Sequence, residues 1–241
     1  MTSASEKLTS STVFLWYNIF IMRKAERIEK ILEGLEGKYK DTKTALNYHS
    51  PFELLVAVIL SAQCTDERVN VITARIFPRL NTPTKMLKLS LEELELEIKD
   101  CGLYHAKAKN LLGMARMLHE EFNDKIPADI DTMMRLPGVG RKTANVVASI
   151  IYNIPAIAVD THVFRVSHRL GLAKGKTPEE TERELQKLIP KEKWGNAHHW
   201  LIWHGRLVCK ARKPECELCL LNGLCQFNRD QESGIRGQVS R

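Results

Sequence analysis

The sequence has almost no strand-like segments and no apolar run long enough to cross a membrane. The chain has 241 residues. The apolar run at positions 13 to 22 resembles a targeting signal, but it is too short to span a bilayer and has no small-residue cleavage site. The one strand-like run, residues 154 to 159, has no partner of similar character and is interpreted as an extended linker. We therefore expect a cytoplasmic, all-helical protein without a membrane partner.

Acidic residues are outnumbered: 36 basic and 29 acidic side chains give a net charge of +7. This excess favours a polyanionic partner, although charge alone leaves nucleic acid at about even odds. At the N-terminus, Met22 is followed directly by charged residues. We predict an N-terminal extension over residues 1 to 22, with translation normally starting at Met22. Residues 229 to 241 are polar without an apolar period, which predicts a flexible tail.

Helix start signals recur along the chain. Ser50, Ser90 and Thr177 each stand three residues ahead of a glutamate, the pattern of a capping box. Residues 52 to 62 are apolar nearly all round, which predicts a buried central helix.

Residues 136 to 145 (LPGVGRKTAN) form a glycine-bearing turn between two apolar-periodic segments, which predicts a helix-hairpin-helix. Gly138 and Gly140 let the backbone approach a ligand, and N–H groups at the head of the second helix can bind phosphate. A tight helical hairpin that binds nothing is the alternative. Lys142 falls on the first turn of that second helix, where unpaired N–H groups and the helix dipole disfavour an ammonium. Its amine should lose its proton readily and act as a nucleophile.

Six cysteines are present, and four of them lie close together near the C-terminus. Spacings of six, two and five residues separate these four, which suits a [4Fe–4S] cube better than the two spaced pairs of a zinc site. The ligands would be Cys209, Cys216, Cys219 and Cys225. The cationic residues between the first two ligands, Lys210, Arg212 and Lys213, could bind phosphate or form a solvated loop. Cys64 and Cys101 are interpreted as small buried hydrophobes.

Asp160 follows the linker and precedes an apolar-periodic segment, so the default interpretation is an N-cap. If the fold brings Asp160 to Lys142, the pair combines an amine nucleophile with a carboxylate able to move protons or stabilise a cationic sugar. His198, His199 and His204 lie in an apolar segment and are interpreted as core or surface histidines.

With these residues together, the chain resembles the endonuclease III family, bifunctional DNA glycosylases and abasic-site lyases of the helix-hairpin-helix superfamily. The resemblance covers about residues 23 to 227. Beyond the hairpin and the four-cysteine loop, it rests on residues 60 to 66 (LSAQCTD), 102 to 104 (GLY), 159 to 162 (VDTH) and 198 to 201 (HHWL). Cys64 is a small departure, since alanine often follows the glutamine.

The resemblance implies two helical domains with a DNA-binding cleft between them. One is a continuous six-helix barrel, here residues 44 to 154, which contains the helix-hairpin-helix. The other is discontinuous, residues 23 to 43 and 155 to 228, and holds one [4Fe–4S] cluster in a structural, DNA-positioning role. Lys142 and Asp160 would lie on opposite lips of the cleft.

The resemblance also implies an activity. A monomeric base-excision-repair enzyme, both hydrolase and lyase, would remove oxidised pyrimidines from double-stranded DNA and cleave abasic sites by β-elimination through a Lys142 Schiff base. Gln63 and Leu103 match the positions that fill the gap left by the extruded nucleotide, and Gly138, Gly140 and Arg141 would hold phosphate. The enzyme would act at the nucleoid. The alternatives are a monofunctional glycosylase and a non-catalytic, metal-stapled DNA-binding module.

Overall fold

The computed structural model describes the chain from residue 10 to residue 232, with side chains from residue 24 to residue 231. Every regular element in this part of the chain is helical, which confirms the all-helical prediction. None of these helices is both long enough and apolar enough to span a bilayer. The predicted extension lies partly outside the described residues, since these begin within it at Ser10, where the first helix starts.

Twelve α-helices follow one another along the described chain. Their bounds are α1 Ser10–Tyr39, α2 Pro51–Leu60, α3 Asp66–Ile76, α4 Pro83–Met86, α5 Leu91–Ile98, α6 Tyr104–Phe122, α7 Ile130–Met133, α8 Arg141–Tyr152, α9 Thr161–Leu170, α10 Pro178–Leu188, α11 Trp194–Leu207 and α12 Gln226–Glu232. Short 3₁₀ turns occur at Lys191–Lys193, Cys216–Leu218 and Asn222–Leu224.

The predicted helix starts are present. The hydroxyl oxygen of Ser50 accepts a hydrogen bond from the backbone N–H of Glu53, and Thr177 does the same for Glu180. At Ser90 the capping box is complete, because the carboxylate of Glu93 also accepts from the N–H of Ser90. Each cap satisfies an N–H group that the helix itself leaves unpaired.

Two separate hydrophobic cores organise the described chain. The first is built from α2 to α8 around α2, which is buried on every side as its composition predicts. The second joins the C-terminal half of α1 to α9, α10 and α11, with apolar residues of the cysteine loop against it. The chain thus leaves the second core after α1 and returns to it through residues 154 to 159. That segment has no regular secondary structure, and its last four residues are buried.

The first residues of the predicted flexible tail, residues 229 to 241, are helical. Helix α12 continues to Glu232. It is anchored because the ring of Phe227 packs against the second core and lies 4.9 Å below the guanidinium of Arg169. The rest of the predicted tail lies outside the described residues.

Candidate active site

A tight turn joins α7 to α8 and positions the N-terminus of α8. The N–H of Val139 donates to the carbonyl of Leu136 at 3.0 Å, and Pro137 and Gly138 occupy the two central positions. Gly138 has φ +80°, as the second central residue of a type II turn requires. A Cβ at this glycine would lie 2.9 Å from the Cβ of Asn110 on α6. Only glycine fits at position 138, because the backbone angle φ is positive and because α6 lies too close to leave room for a Cβ.

Two N–H groups of this turn are free to bind a ligand. Within the described chain, those of Gly138 and Gly140 donate to no acceptor, and Gly140 caps α8 without a side-chain bond. No atom lies within 4 Å of the position that a Cβ on Gly140 would take. Free N–H groups beside the positive end of a helix dipole and next to open space make an anion site.

Lys142 is exposed on the first turn of α8. Its amine makes no hydrogen bond or ion pair with any residue that the structure describes. Its neighbour Arg141 differs, because its Nη1 lies 4.0 Å from the Oε1 of Glu182 on α10. Burial raises the pKa of Glu182, while Asn145 and Arg141 act in the opposite direction. Arg141 is therefore held towards α10, and Lys142 is the unpaired cation of the two.

Asp160 caps α9, as the sequence predicts. Its Oδ1 accepts from the N–H of Val163 at 2.8 Å, which leaves Oδ2 for another role. The preceding linker is fixed to α8, because Nδ2 of Asn145 donates to the carbonyl of Ile157 at 3.2 Å. Lys142 and Asp160 thus stand on elements that belong to different cores, on either side of this junction.

His198 of α11 lies beside the linker that leads to Asp160. The ring is buried, and its Nδ1 donates to the carbonyl of Ala158 at 2.7 Å. Burial lowers the pKa of His198, the charge of Asp160 opposes this shift, and the charge of Lys142 adds to it. The charges of Lys142 and Asp160 thus act on the same buried ring, in opposite directions. The sequence interpretation of His198 as a core histidine agrees with its burial. It did not predict that the ring bonds the linker ahead of Asp160, because no local sequence signal indicates this contact.

The two predicted gap-filling residues lie on adjacent loops. Gln63 has φ 52° and Leu103 has φ 59°, values that non-glycine residues seldom adopt. Both side chains are exposed, Leu103 by 59%. The loops touch, because a Cβ on Gly102 would lie 3.1 Å from the carbonyl oxygen of Gln63.

The four clustered cysteines surround one cavity at the end of the second core. All are free thiols. Burial raises the pKa of the Cys219 thiol, a backbone hydrogen bond from Leu221 lowers it, and the other three cysteines raise it further. Four thiols around one apolar cavity fit a cubane cluster, whose four irons each take one thiolate ligand. Two cysteines lie outside this group. Cys101 is buried, as expected, whereas Cys64 is only partly buried.

Two arginines of α9 hold the loop that begins at Cys209. Arg165 donates to the carbonyl oxygens of Cys209 and Gly205, at 3.1 and 2.9 Å. Arg169 donates to those of Lys210 and Ala211, at 2.7 and 3.0 Å. The sequence interpretation missed both arginines, although their spacing of four residues places them on one helix face.

The cations of this loop are not equivalent. Lys210 forms an ion pair with Glu215. Arg212 and Lys213 are exposed, and neither forms an ion pair within the described part of the chain. These two are the cations best able to meet a phosphate.

Two family descriptions match the chain. Residues 56 to 191 match the "HhH-GPD superfamily base excision DNA repair protein" family. Residues 209 to 225, from the first to the last clustered cysteine, match the "iron-sulfur binding domain of endonuclease III". The second match supports the [4Fe–4S] cluster and its four-thiolate loop.

Characterised relatives align along most of the chain. Endonuclease III of Escherichia coli is 48% identical over 206 residues, which are 86% of this chain and 97% of the relative. That of Rickettsia conorii is 47% identical over 204 residues, 85% of this chain and 97% of the relative.

Solved structures of related proteins share the fold of this chain. A trapped endonuclease III–DNA covalent intermediate superimposes with a TM-score of 0.83 at 45% identity, covering 86% of this chain and 98% of that one. A thermostable thymine-DNA glycosylase, at 21% identity and a TM-score of 0.78, shares the fold. The architecture, the cysteine loop and the length of the alignments lead to one conclusion: the chain belongs to the endonuclease III family.

Proposed function

We propose that the protein is a base-excision-repair DNA glycosylase that removes oxidised pyrimidines and then cleaves the strand at the abasic site, with Lys142 as nucleophile. The observation that carries this proposal is the exposed, unpaired amine of Lys142 near His198, where the carboxylate of Asp160 also acts. Membership of the family supports it. So does the similarity to an endonuclease III that was trapped as a covalent intermediate with DNA.

The reaction begins with extrusion of the damaged nucleotide, because C1′ of a stacked nucleotide is out of reach. The unprotonated amine of Lys142 attacks C1′, and the bond from C1′ to the base breaks as the base leaves with the electron pair. Opening of the sugar ring gives an imine between Nζ and C1′. The imine makes the C2′ proton acidic, and its removal expels the 3′ phosphate. Water then hydrolyses the imine and frees Lys142.

Asp160 has one oxygen engaged in the helix cap and the other available. Its negative charge stabilises the cationic sugar that forms as the base departs, and its free oxygen can accept a proton from the Lys142 ammonium. Both roles need the carboxylate of Asp160 near the amine of Lys142. The effect of both charges on the pKa of His198 supports this arrangement.

DNA is held through several surfaces in this proposal. The free N–H groups of Gly138 and Gly140 bind a backbone phosphate beside Lys142. On the cysteine loop, Arg212 and Lys213 bind phosphate, and Lys210 contributes once its ion pair with Glu215 opens. Arg141 supports the hairpin mainly through Glu182.

Gln63 and Leu103 fill the space that the extruded nucleotide leaves. The cluster, held by Cys209, Cys216, Cys219 and Cys225, stabilises the second core and fixes the cationic loop. Its four thiolates complete the ligand set, so the reacting sugar has no position on the metal. We assign the barrel domain to residues 44 to 154 and the site of action to the bacterial nucleoid in the cytoplasm, with the protein acting as a monomer.

Borohydride trapping tests the nucleophile. Reduction of the imine should join wild-type protein covalently to a duplex that contains one oxidised pyrimidine, and Lys142→Ala should give no adduct while it still binds the duplex. Lys99→Ala removes an exposed, unpaired lysine elsewhere and should trap as wild type does.

Persistence of the adduct in Lys142→Ala would contradict the assignment of the nucleophile. Release of free base by wild-type protein without any adduct would indicate a monofunctional glycosylase. Binding without base release or strand cleavage would indicate a non-catalytic DNA-binding module.

A further inference from the structure

A lysine side chain is buried beneath the two loops that carry Gln63 and Leu103. Lys107, in the first turn of α6, is only 4% exposed. Lysine is almost never so buried unless its ammonium is paired. Here the partners are neutral. The Nζ donates to the carbonyls of Leu60 and Ala62, at 2.9 and 2.5 Å, and lies 3.1 Å from the Sγ of Cys101.

The position explains how the ammonium is satisfied without a carboxylate. Leu60 is the last residue of α2, and the final carbonyls of a helix lack intrahelical partners and carry the negative end of its dipole. An ammonium has three N–H donors, and the two carbonyls and the sulfur use all three. The Sγ of Cys101 in turn donates to the carbonyl of Leu60 at 3.3 Å.

These contacts join the two loops to each other. Ala62 immediately precedes Gln63, and Cys101 lies two residues ahead of Leu103. Both Gln63 and Leu103 have positive φ angles, and such strained conformations persist only where the surroundings hold them in place. The ammonium of Lys107 binds the backbone next to Gln63 and, at the same time, the side chain of Cys101.

We propose that Lys107 is a positioning residue for base extrusion, which holds residues 61 to 65 against residues 101 to 103 so that Gln63 and Leu103 enter the duplex together. The inference rests on the proposed function, in which these two side chains fill the gap in the duplex. Lys107 touches neither the substrate nor Lys142 in this role. It acts through the geometry of the two loops.

The test separates extrusion from chemistry. Lys107→Met keeps an unbranched side chain of similar length but removes all three donors. Two substrates are compared: a duplex with one oxidised pyrimidine beside 2-aminopurine, whose fluorescence reports unstacking, and a single-stranded oligonucleotide with an abasic site, which has no base to extrude. With buried carbonyls left unpaired, the fluorescence change and base release on the duplex should fall about tenfold. Borohydride trapping and cleavage on the single strand should stay unchanged.

Two controls make the result specific. Lys125→Met removes the same charge just beyond the other end of α6, which lies about 22 Å from Lys107 along the helix, and should leave both substrates unaffected. In a background of Gln63→Ala and Leu103→Ala, adding Lys107→Met should cause no further loss on the duplex, because the two loops then have no side chains to position.

Equal loss on both substrates, or no loss on the duplex, would overturn the proposal. If Lys107→Met does not fold, as judged by iron content and melting temperature, Cys101→Ala replaces it. This variant removes one of the three ammonium contacts and should cause a smaller loss confined to the duplex, and absence of that selectivity also overturns the proposal. A wild-type protein inactive on both substrates would instead mean that the proposed function has failed.

Discussion

Asp160 combines two roles that are usually assigned to different residues. As the N-cap of α9 it satisfies the N–H of Val163, and as a charge beside His198 it acts on the same ring as Lys142. Capping requires only an oxygen acceptor, whereas stabilising a cationic sugar or accepting a proton requires a carboxylate. The two roles can therefore be separated by substitution.

Asp160→Asn keeps a good cap and removes the charge. We expect its melting temperature to match that of wild type, while base release falls about 100-fold, the scale of lost acid–base assistance. Asp160→Ala should lose the same activity and, in addition, about 1 kcal/mol of stability. Thermal unfolding and single-turnover base release measure the two effects. Equal activity in wild type and Asp160→Asn would limit Asp160 to capping.

At the scale of the element, the turn between α7 and α8 contains two glycines, and the structure around each of them is different. Gly138 needs the freedom of its backbone, with φ +80° and the Cβ of Asn110 only 2.9 Å from the Cβ it lacks. Gly140 has φ −87° and open space around it. A structural requirement thus explains Gly138, whereas the proposed phosphate contact gives a reason for Gly140.

A matched pair of alanine variants tests this distinction. Gly138→Ala should lose about 1 to 3 kcal/mol of folding stability, from its strained φ and the contact with Asn110. Gly140→Ala should be nearly neutral in stability, because a weaker cap is offset by a less flexible unfolded chain. Both should weaken binding to duplex DNA in a salt-dependent filter or fluorescence assay. A Gly140→Ala variant that binds DNA like wild type would argue against a phosphate at this turn.

At the scale of the whole molecule, α11 places imidazole rings where the charged form is disfavoured: His198 and His204 are buried, and His199 is partly buried. Burial, together with the charge of the neighbouring His198, lowers the pKa of His199 to about 4. In the unfolded chain the same ring titrates near its ordinary value of 6.5. Between these two values the unfolded chain binds more protons than the folded protein does. The contribution of His199 to stability is therefore complete above about pH 6.5 and is lost as the pH falls towards 4.

We expect His199→Gln to remove about 2 kcal/mol of the stability lost between pH 7.5 and pH 5. Urea unfolding of protein with full iron content at both values measures this difference. His49→Gln, which changes an exposed ring in the loop before α2, should keep the pH dependence of wild type. An unchanged pH dependence in His199→Gln would show that this ring is protonated in the folded protein.

The sequence by itself determined the features that depend on a few neighbouring residues. The helix starts at Ser50, Ser90 and Thr177, the cap at Asp160 and the turn at Gly138 follow from short-range hydrogen bonds and backbone angles, so they could be predicted locally. The helical class and the four thiolate ligands follow in the same way from periodicity and spacing. The position of Lys142 on the first turn of a helix could be predicted, because a glycine-bearing turn precedes it.

Only the tertiary structure decided which distant groups meet. The buried linker that leads to Asp160 is bonded by His198 of α11 at Ala158 and by Asn145 of α8 at Ile157. The contacts of Lys107 with Leu60 and of Arg169 with the cysteine loop join residues more than 40 positions apart. Such contacts result from the packing of whole helices onto two cores. No local pattern records them, because the energy that forms them comes from burial of the entire core.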